Sequence, residues 1–372
     1  MKDQIITVVT CPYSRAQLIK ARLESEGIEC FLSHINLIQP GIAAGVQVRI
    51  NEKDADTAYS IIEGMKEISA KSKQETLKAM KSIRRILVPV DFSETSINAC
   101  SFALGLAQKL KAEVKLLYSY FNPIISSEPY FEGQSFNYLM DSAILGVEAE
   151  ARKEMAALKS KLKKQIDDEK LNFVRITSSL DRGIPEQVIQ KHISSYKPGI
   201  VIMGTRGMGK SEVNYLGSVT KKVIKKAKVP VLLIPEKSIF SGMQYINRVL
   251  YASNFEESDF RSLRRLMTLV RPFNMIIHVA HISVEDNDSL DRAKMANLKE
   301  HLEKEYEDFQ FNCDVIRHED IIMGLQEYIE SKEIDLIALT THKRGIIERF
   351  FNPSIAKKMI FHSYVPLLVF HS

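Results

Sequence analysis

The chain has 372 residues, 45% of them hydrophobic and 26% charged. That balance excludes a wholly disordered polymer, and the length suggests two or three domains at about 150 residues each. Fifty-one Lys and Arg against 46 Asp and Glu leave a net charge of +5, too little over so large a surface to argue for a nucleic-acid or membrane partner.

The opening MKDQIITVV lacks the basic segment, apolar core and small-residue cleavage site of a signal peptide. No 18-residue apolar run could span a bilayer. The four cysteines, Cys11, Cys30, Cys100 and Cys313, lie far apart without a CxxC, so neither a zinc site nor a disulfide framework is indicated. The expectation is a cytoplasmic protein.

In chain order, residues 1–69 read as a small α+β domain of β-α-β-β-α order. Its elements are QIITVVT (4–10), a helix over 14–27, IECFLSH (28–34), VQVRIN (46–51) and a helix over 53–67. Residues 70–82 open a polar, basic stretch without Gly or Pro, read as a linker with partial helicity. Residues 83–236 then alternate strands and helices. ILVPV (86–90) is followed by a helix over 93–112 behind Ser and Thr caps, EVKLLYSY (113–120) by a long helix from about 139 to 170, and FVRITSSL (173–180) by a helix entered through Gly183, Ile184 and Pro185. GIVIMG (199–204) and VPVLLI (229–234) complete five strands. Uniformly apolar strands between helices imply a parallel sheet covered on both faces.

The pattern then repeats. RRILVPVDFSET (84–95) matches NRVLYASNFEES (247–258), and VPVLLIPE (229–236) matches VPLLVFHS (365–372). Residues 246–372 therefore form a second α/β unit related to the first.

Chemistry concentrates in MGTRGMGKSEVNYLGSVTKKV (203–223), directly after the fourth strand. Gly204, Gly207, Gly209 and Gly217 are four of the 16 glycines within 14 positions. This is the carboxyl edge of a parallel strand, where open α/β sheets bind ligands. Glycine lets backbone approach phosphates, and Gly217 to Thr220 reads as a helix N-terminus able to take an anion. Two motif readings compete. GTRGMGKS (204–211) satisfies the P-loop pattern, with Lys210 and Ser211 as phosphate and magnesium contacts, although a P-loop ordinarily follows an early strand and only one strand remains here.

The other reading is a resemblance. Gly204-x2-Gly207-x9-Gly217-Ser218 resembles the G-2x-G-9x-G-(S/T) signature of the universal stress protein family, and PVDFSET (89–95), LLYSY, GIPEQVI (183–189) and IVIMGT (200–205) fall where that family places its own motifs. The resemblance implies two tandem five-stranded parallel-sheet, Rossmann-like domains and ATP, with or without Mg2+, held by the first. Asp91 would contact ribose or adenine, with Pro89, Ser119 and Met203 near the base. Gly204, Thr205, Gly207, Gly217, Ser218 and Val219 would surround the sugar and phosphates. For Asp91 the alternative is a cap on the following helix, a place Ser93 could also take.

The second unit lacks the signature. Thr340 aligns with Gly204, Lys343 with Gly207 and Pro353-Ser354 with Gly217-Ser218, while Asn254 and Ala252 replace Asp91 and Pro89. It is expected to be structural, with VPLLVF pairing against VPVLLI inside one chain; a homodimer and an unidentified protein partner stay open. Residues 1–69 resemble the small βαββα domains grouped as prokaryotic signal-transducing proteins, through LIKARLESEGIECFL (18–32) and DADTAYSII (54–62). The expected function is a nucleotide-dependent regulatory or stress-response protein, the competing one a slow ATPase or phosphotransferase at the same site, for which no catalytic residue is assigned.

Overall fold

The computed structural model describes residues 5–11, 13–34, 46–63, 84–120, 134–207, 216–238, 242–284, 288–340 and 364–371. The chain forms two compact units, Met1–Lys78 with Ala296–Glu305, and Ala79–Met295 with Tyr306–Ser372. The stretch read as a linker, 70–82, lies outside the described residues.

In the first unit, strands β1 (Ile5–Cys11), β2 (Cys30–His34) and β3 (Val46–Asn51) form an antiparallel sheet in the order β1-β3-β2. Helix α1 (Tyr13–Ser25) and a helical stretch over 55–63 complete the expected βαββα order. Strand β3 alternates buried and half-buried residues, so Val46, Val48 and Ile50 line one face and join Ala16, Ile19, Leu23, Ala58 and Ile62 in a core.

The second unit is built on ten strands. The first repeat contributes β4 (Arg85–Val90), β5 (Glu113–Tyr120), β6 (Arg175–Arg182), β7 (Ile200–Gly204) and β8 (Val231–Ile234). The second contributes β9 (Arg248–Ala252), β10 (Ile276–Ser283), β11 (Gln310–Arg317), β12 (Leu336–Thr340) and β13 (Leu367–Phe370). Helices α2 (Glu94–Leu110), α3 (Gln134–Asp168), α4 (Pro185–Tyr196) and α5 (Ser218–Lys226) belong to the first repeat. Helices α6 (Glu257–Val270), α7 (Asp288–Glu305) and α8 (Ile321–Ser331) follow in the second.

The sheet order is β11-β10-β9-β12-β13-β8-β7-β4-β5-β6. Each repeat is parallel throughout, and the halves meet at β13 and β8, which pair antiparallel with Leu367 opposite Leu233 and Val369 opposite Val231. Each of these strands would otherwise end its half-sheet as an apolar edge with open backbone groups, and pairing removes both edges. A single layer of buried side chains, including Leu87, Leu117, Ile189, Met203, Leu233, Leu250, Leu325 and Leu339, runs under both repeats.

The order within the first repeat puts β4 between β7 and β5. The chain moves outward from β4 first to one side and then to the other, so the loops after β4 and β7 part at their carboxyl ends and leave a crevice. Among the described residues, no helix is long and apolar enough to cross a membrane.

Candidate functional site

Three segments border the crevice: the β4–α2 turn, the loop after β7 and the start of α5. The first is ordered by its own hydroxyls. Ser93 caps α2, its side chain accepting from the Ser96 amide. Asp91 is not the cap; its Oδ1 accepts from the Ser93 hydroxyl at 2.5 Å and from the Ser93 amide at 3.1 Å. The sequence left this choice open, and the structure assigns the cap to Ser93 and makes Asp91 its brace. Between them Phe92 adopts a left-handed φ of 64°, an uncommon state for an aromatic residue, with its ring 4.6 Å from that of Tyr118. Burial, then the nearby charges of Asp91 and Glu154, raise the Tyr118 phenol above its ordinary pKa.

The loop after β7 shows why its glycines are there, and the reasons differ. A Cβ on Gly204 would lie 2.7 Å from Thr95 Cγ2 and 3.0 Å from the Arg206 carbonyl, so the packing of α2 on β7 excludes a side chain. A Cβ on Gly207 would collide with the Asp91 carboxylate. Both glycines therefore answer to the protein itself, a reason the sequence did not reveal. Gly217 differs. Its φ of −63° suits any residue, and a Cβ there would meet nothing nearer than the Thr205 carbonyl at 3.6 Å, an ordinary contact.

Gly217 is the cap residue of α5, with its amide bonded to the Thr205 carbonyl at 2.8 Å. Thr205 in turn donates its amide to the Ile234 carbonyl, and Thr220 Oγ1 donates to the Gly204 carbonyl. These bonds aim the first turn of α5 at the crevice, with Ser218 exposed and Val219 packed on the core. The opening amides of a helix have no intrahelical acceptor, and here they sit beside the loop after β7. Arg206 lies 3.7 Å from Glu236. Gly209, Lys210 and Ser211 lie outside the described residues.

The expected base-side residues come from three adjacent strands, Met203 from β7, Pro89 from β4 and Ser119 from β5, and Met203 is buried. Met203 and Leu117 share the core on the α4 and α5 face, and Pro89 is in register with Leu117. The β4–β5 register ends at Val90–Tyr118, with Asp91 the next residue of the chain, and Ser119 of β5 pairs with Asp181 of β6. The Ser119 hydroxyl donates to the Gly183 carbonyl at 2.6 Å. Gly183 has φ 148°, a backbone state essentially closed to side-chain-bearing residues.

Asp181 is a residue the sequence reading missed. Its Oδ1 accepts from Ser179 Oγ at 2.6 Å and its Oδ2 lies 2.9 Å from Nε2 of the buried His192. Partial burial works to raise its pKa, but the hydrogen bonds from Ser179 and His192 prevail and hold it below the usual carboxylate range. The signal was present in SSLDR, where a strand period of two puts residues 179 and 181 on one face.

The second repeat keeps the turn and rearranges its acid. Phe255 repeats the left-handed φ at 62°, and its ring stacks 4.5 Å from His281. The carboxylate now comes from α6: Asp259, aligned with Ser96, is buried and accepts from Tyr251 Oη, Ser253 Oγ, the Asn254 and Glu256 amides and Thr340 Oγ1. The turn amides thus keep an anionic acceptor, but it reaches them from the interior. Asn254 stands in the place of Asp91, and Ala252 in that of Pro89. Lys343, Pro353 and Ser354 lie outside the described residues.

The model of the universal stress protein family matches residues 82–235 and 246–371. A universal stress protein of Methanocaldococcus jannaschii is 30% identical over 155 residues, covering 41% of this chain and 81% of the relative. One from Synechocystis is 23% identical over 300 residues, covering 77% of this chain and all of the relative. The crystal structure of a universal stress protein from Archaeoglobus fulgidus, 20% identical, superposes with a TM-score of 0.53 over 77% of this chain and 96% of its own, and so shares the fold. With two matched regions spanning most of its length, each built on the five-stranded parallel sheet, this chain belongs to the universal stress protein family.

Proposed function

We propose that the first repeat binds ATP, with or without Mg2+, and that nucleotide occupancy regulates the protein in a cytoplasmic stress response by biasing its conformation or partner surface. The observation that carries this reading is Gly217. A Cβ at Gly204 would press on Thr95 and the Arg206 carbonyl and one at Gly207 would displace the Asp91 carboxylate, but Gly217 has ordinary room for one, at the point where the amides of α5 open onto the crevice. A glycine with no packing reason, at a helix N-terminus whose opening amides lack intrahelical acceptors, is suited to the close approach of a phosphate.

The pieces fit a nucleotide laid across the sheet. Phosphates would meet Gly207, Gly217, Ser218 and Val219 on the β7 side; the sugar would meet Asp91, Gly204 and Thr205; the base would reach Pro89, Met203 and Ser119. These residues bind and orient; none is assigned a step of chemistry. The domain division follows the same reading: a signal-transducer-like domain over 1–69, a linker over 70–82, the nucleotide domain over 83–236 and a structural repeat over 246–372. A homodimer and a protein partner would be the targets of that regulation.

Titration calorimetry tests the proposal. Wild type should bind ATP and Gly217→Val should not; Gly217→Ala, whose Cβ makes only ordinary contacts, should keep the wild-type melting temperature and weaken binding in the same direction. Binding by Gly217→Val as tight as wild type would refute the site. A Lys210→Ala variant that lost all binding while folded would return the loop to the P-loop reading, and phosphate release in excess of protein would favour the hydrolase.

A further inference from the structure

Resting on the nucleotide site proposed above, we infer that Asp181 is a specificity-determining residue that accepts a hydrogen bond from the exocyclic amine of adenine, positioned for this by His192 and Ser179. Ser119 and Asp181 are paired at the carboxyl ends of β5 and β6, and Asp91 directly follows Val90, the last residue of β4 paired with β5, so the three close the carboxyl edge of adjacent strands. Asp91 and Asp181 stand two strands apart, roughly 10 Å at the usual strand spacing, a span suited to a purine nucleoside. The glycine loop and the start of α5 lie on the opposite side of Asp91, because β7 flanks β4 there. A nucleotide with its phosphates at α5 and its ribose at Asp91 directs its base toward Ser119 and Asp181, and keeps the triphosphate away from the Asp181 charge.

Asp181 is built for one orientation. Its side chain is 24% exposed, whereas that of His192 is only 9% exposed. His192 Nδ1 is buried and makes no hydrogen bond to any described residue, so Nε2 is the ring atom engaged, and it donates to Oδ2. Ser179 donates to Oδ1. Each carboxylate oxygen retains a further lone pair after these bonds, and a carboxylate can only accept. The complementary group on a base is an N–H donor, which adenine presents as its 6-amino group. Ser119, beside Asp181, spends its proton on the Gly183 carbonyl and offers a base only a neutral acceptor oxygen, whereas the Asp181 carboxylate is the charged acceptor, which makes the stronger hydrogen bond.

The test compares ATP with purine riboside 5′-triphosphate, which lacks only the 6-amino group, by titration calorimetry on the full chain. Wild type should prefer ATP by about tenfold or more, the scale of one charge-assisted hydrogen bond. Asp181→Ala should bind both nucleotides within about twofold of each other, and Ser179→Ala, a milder change, should give an intermediate ratio. His192→Gln, whose amide still donates, should keep the preference that His192→Ala weakens. Equal binding of the two nucleotides by wild type, an unchanged preference in Asp181→Ala, or tighter binding of GTP than of ATP would overturn the assignment. Failure of wild type to bind either purine nucleotide would instead remove the underlying site.

Discussion

Asp259 should be the most stability-sensitive polar residue of the second repeat. Its carboxylate accepts from Tyr251 Oη at 2.9 Å, Ser253 Oγ at 3.1 Å, the Asn254 amide at 2.7 Å, the Glu256 amide at 3.3 Å and Thr340 Oγ1 at 3.4 Å. Tyr251, Ser253 and Thr340 are all at most 2% exposed, so water does not replace a lost acceptor. Burial, then the Asp259 charge, drive the Tyr251 phenol far above its ordinary pKa, so it remains a donor. Asp259→Ala strands these donors together. Hydrogen bonds to a buried charge are worth about 1.5–3 kcal/mol each but do not add, and hydroxyls can turn elsewhere, so the net cost should be about 4 kcal/mol. At roughly 2–4 °C per kcal/mol for a unit of this size, calorimetry should show melting lowered by roughly 10 °C. Asp259→Asn keeps one acceptor oxygen and should cost about half as much. Ser96→Ala, at the aligned position of the first repeat, removes a single neutral hydroxyl and should cost about 1 kcal/mol. Melting of Asp259→Ala within about 2 °C of wild type would refute the view that this carboxylate holds the turn, β9 and β12 together.

The glycines should separate in the same assay: Gly204→Ala, forced against Thr95, should lose about 1–3 kcal/mol, while Gly217→Ala should stay within about 0.5 kcal/mol of wild type. Asp181 has a lowered folded pKa, so its contribution is present above the unfolded carboxylate value and is lost as pH falls through the folded one. Asp181→Asn should accordingly lose less stability than wild type between about pH 5 and pH 2, seen as a flatter melting-temperature profile. Leu368, unexposed and opposite Leu232 where the two half-sheets join, should not tolerate Asp: the variant should open β8 and β13 and form larger species in light scattering, and a monomer of unchanged stability would count against the pairing. Deleting residues 1–69 should leave ATP affinity within about tenfold, or 1.4 kcal/mol, as judged by titration calorimetry.

Much of the architecture is local in origin and so could be read directly. The duplicated strand and turn at 84–95 and 247–258 and the apolar runs of β4, β7 and β8 each depend on residues within one turn or one strand of each other, whereas the choice of Ser93 over Asp91 as cap needed the folded turn. The glycine signature could be located for the same reason, since it occupies one loop after one strand. Its interpretation could not, because Gly204 and Gly207 answer to Thr95 and Asp91, more than 100 positions away. The lip formed by Asp91, Ser119 and Asp181, with His192 behind it, exists only once β5 lies between β4 and β6. The transfer of the turn's acid from position 91 to position 259 likewise appears only when the two repeats are compared as folded objects. Short-range periodicity and capping determined which segments became strands and helices; the order in which strands pair decided which distant side chains share a surface, because that order is set by burial and edge closure across the whole sheet.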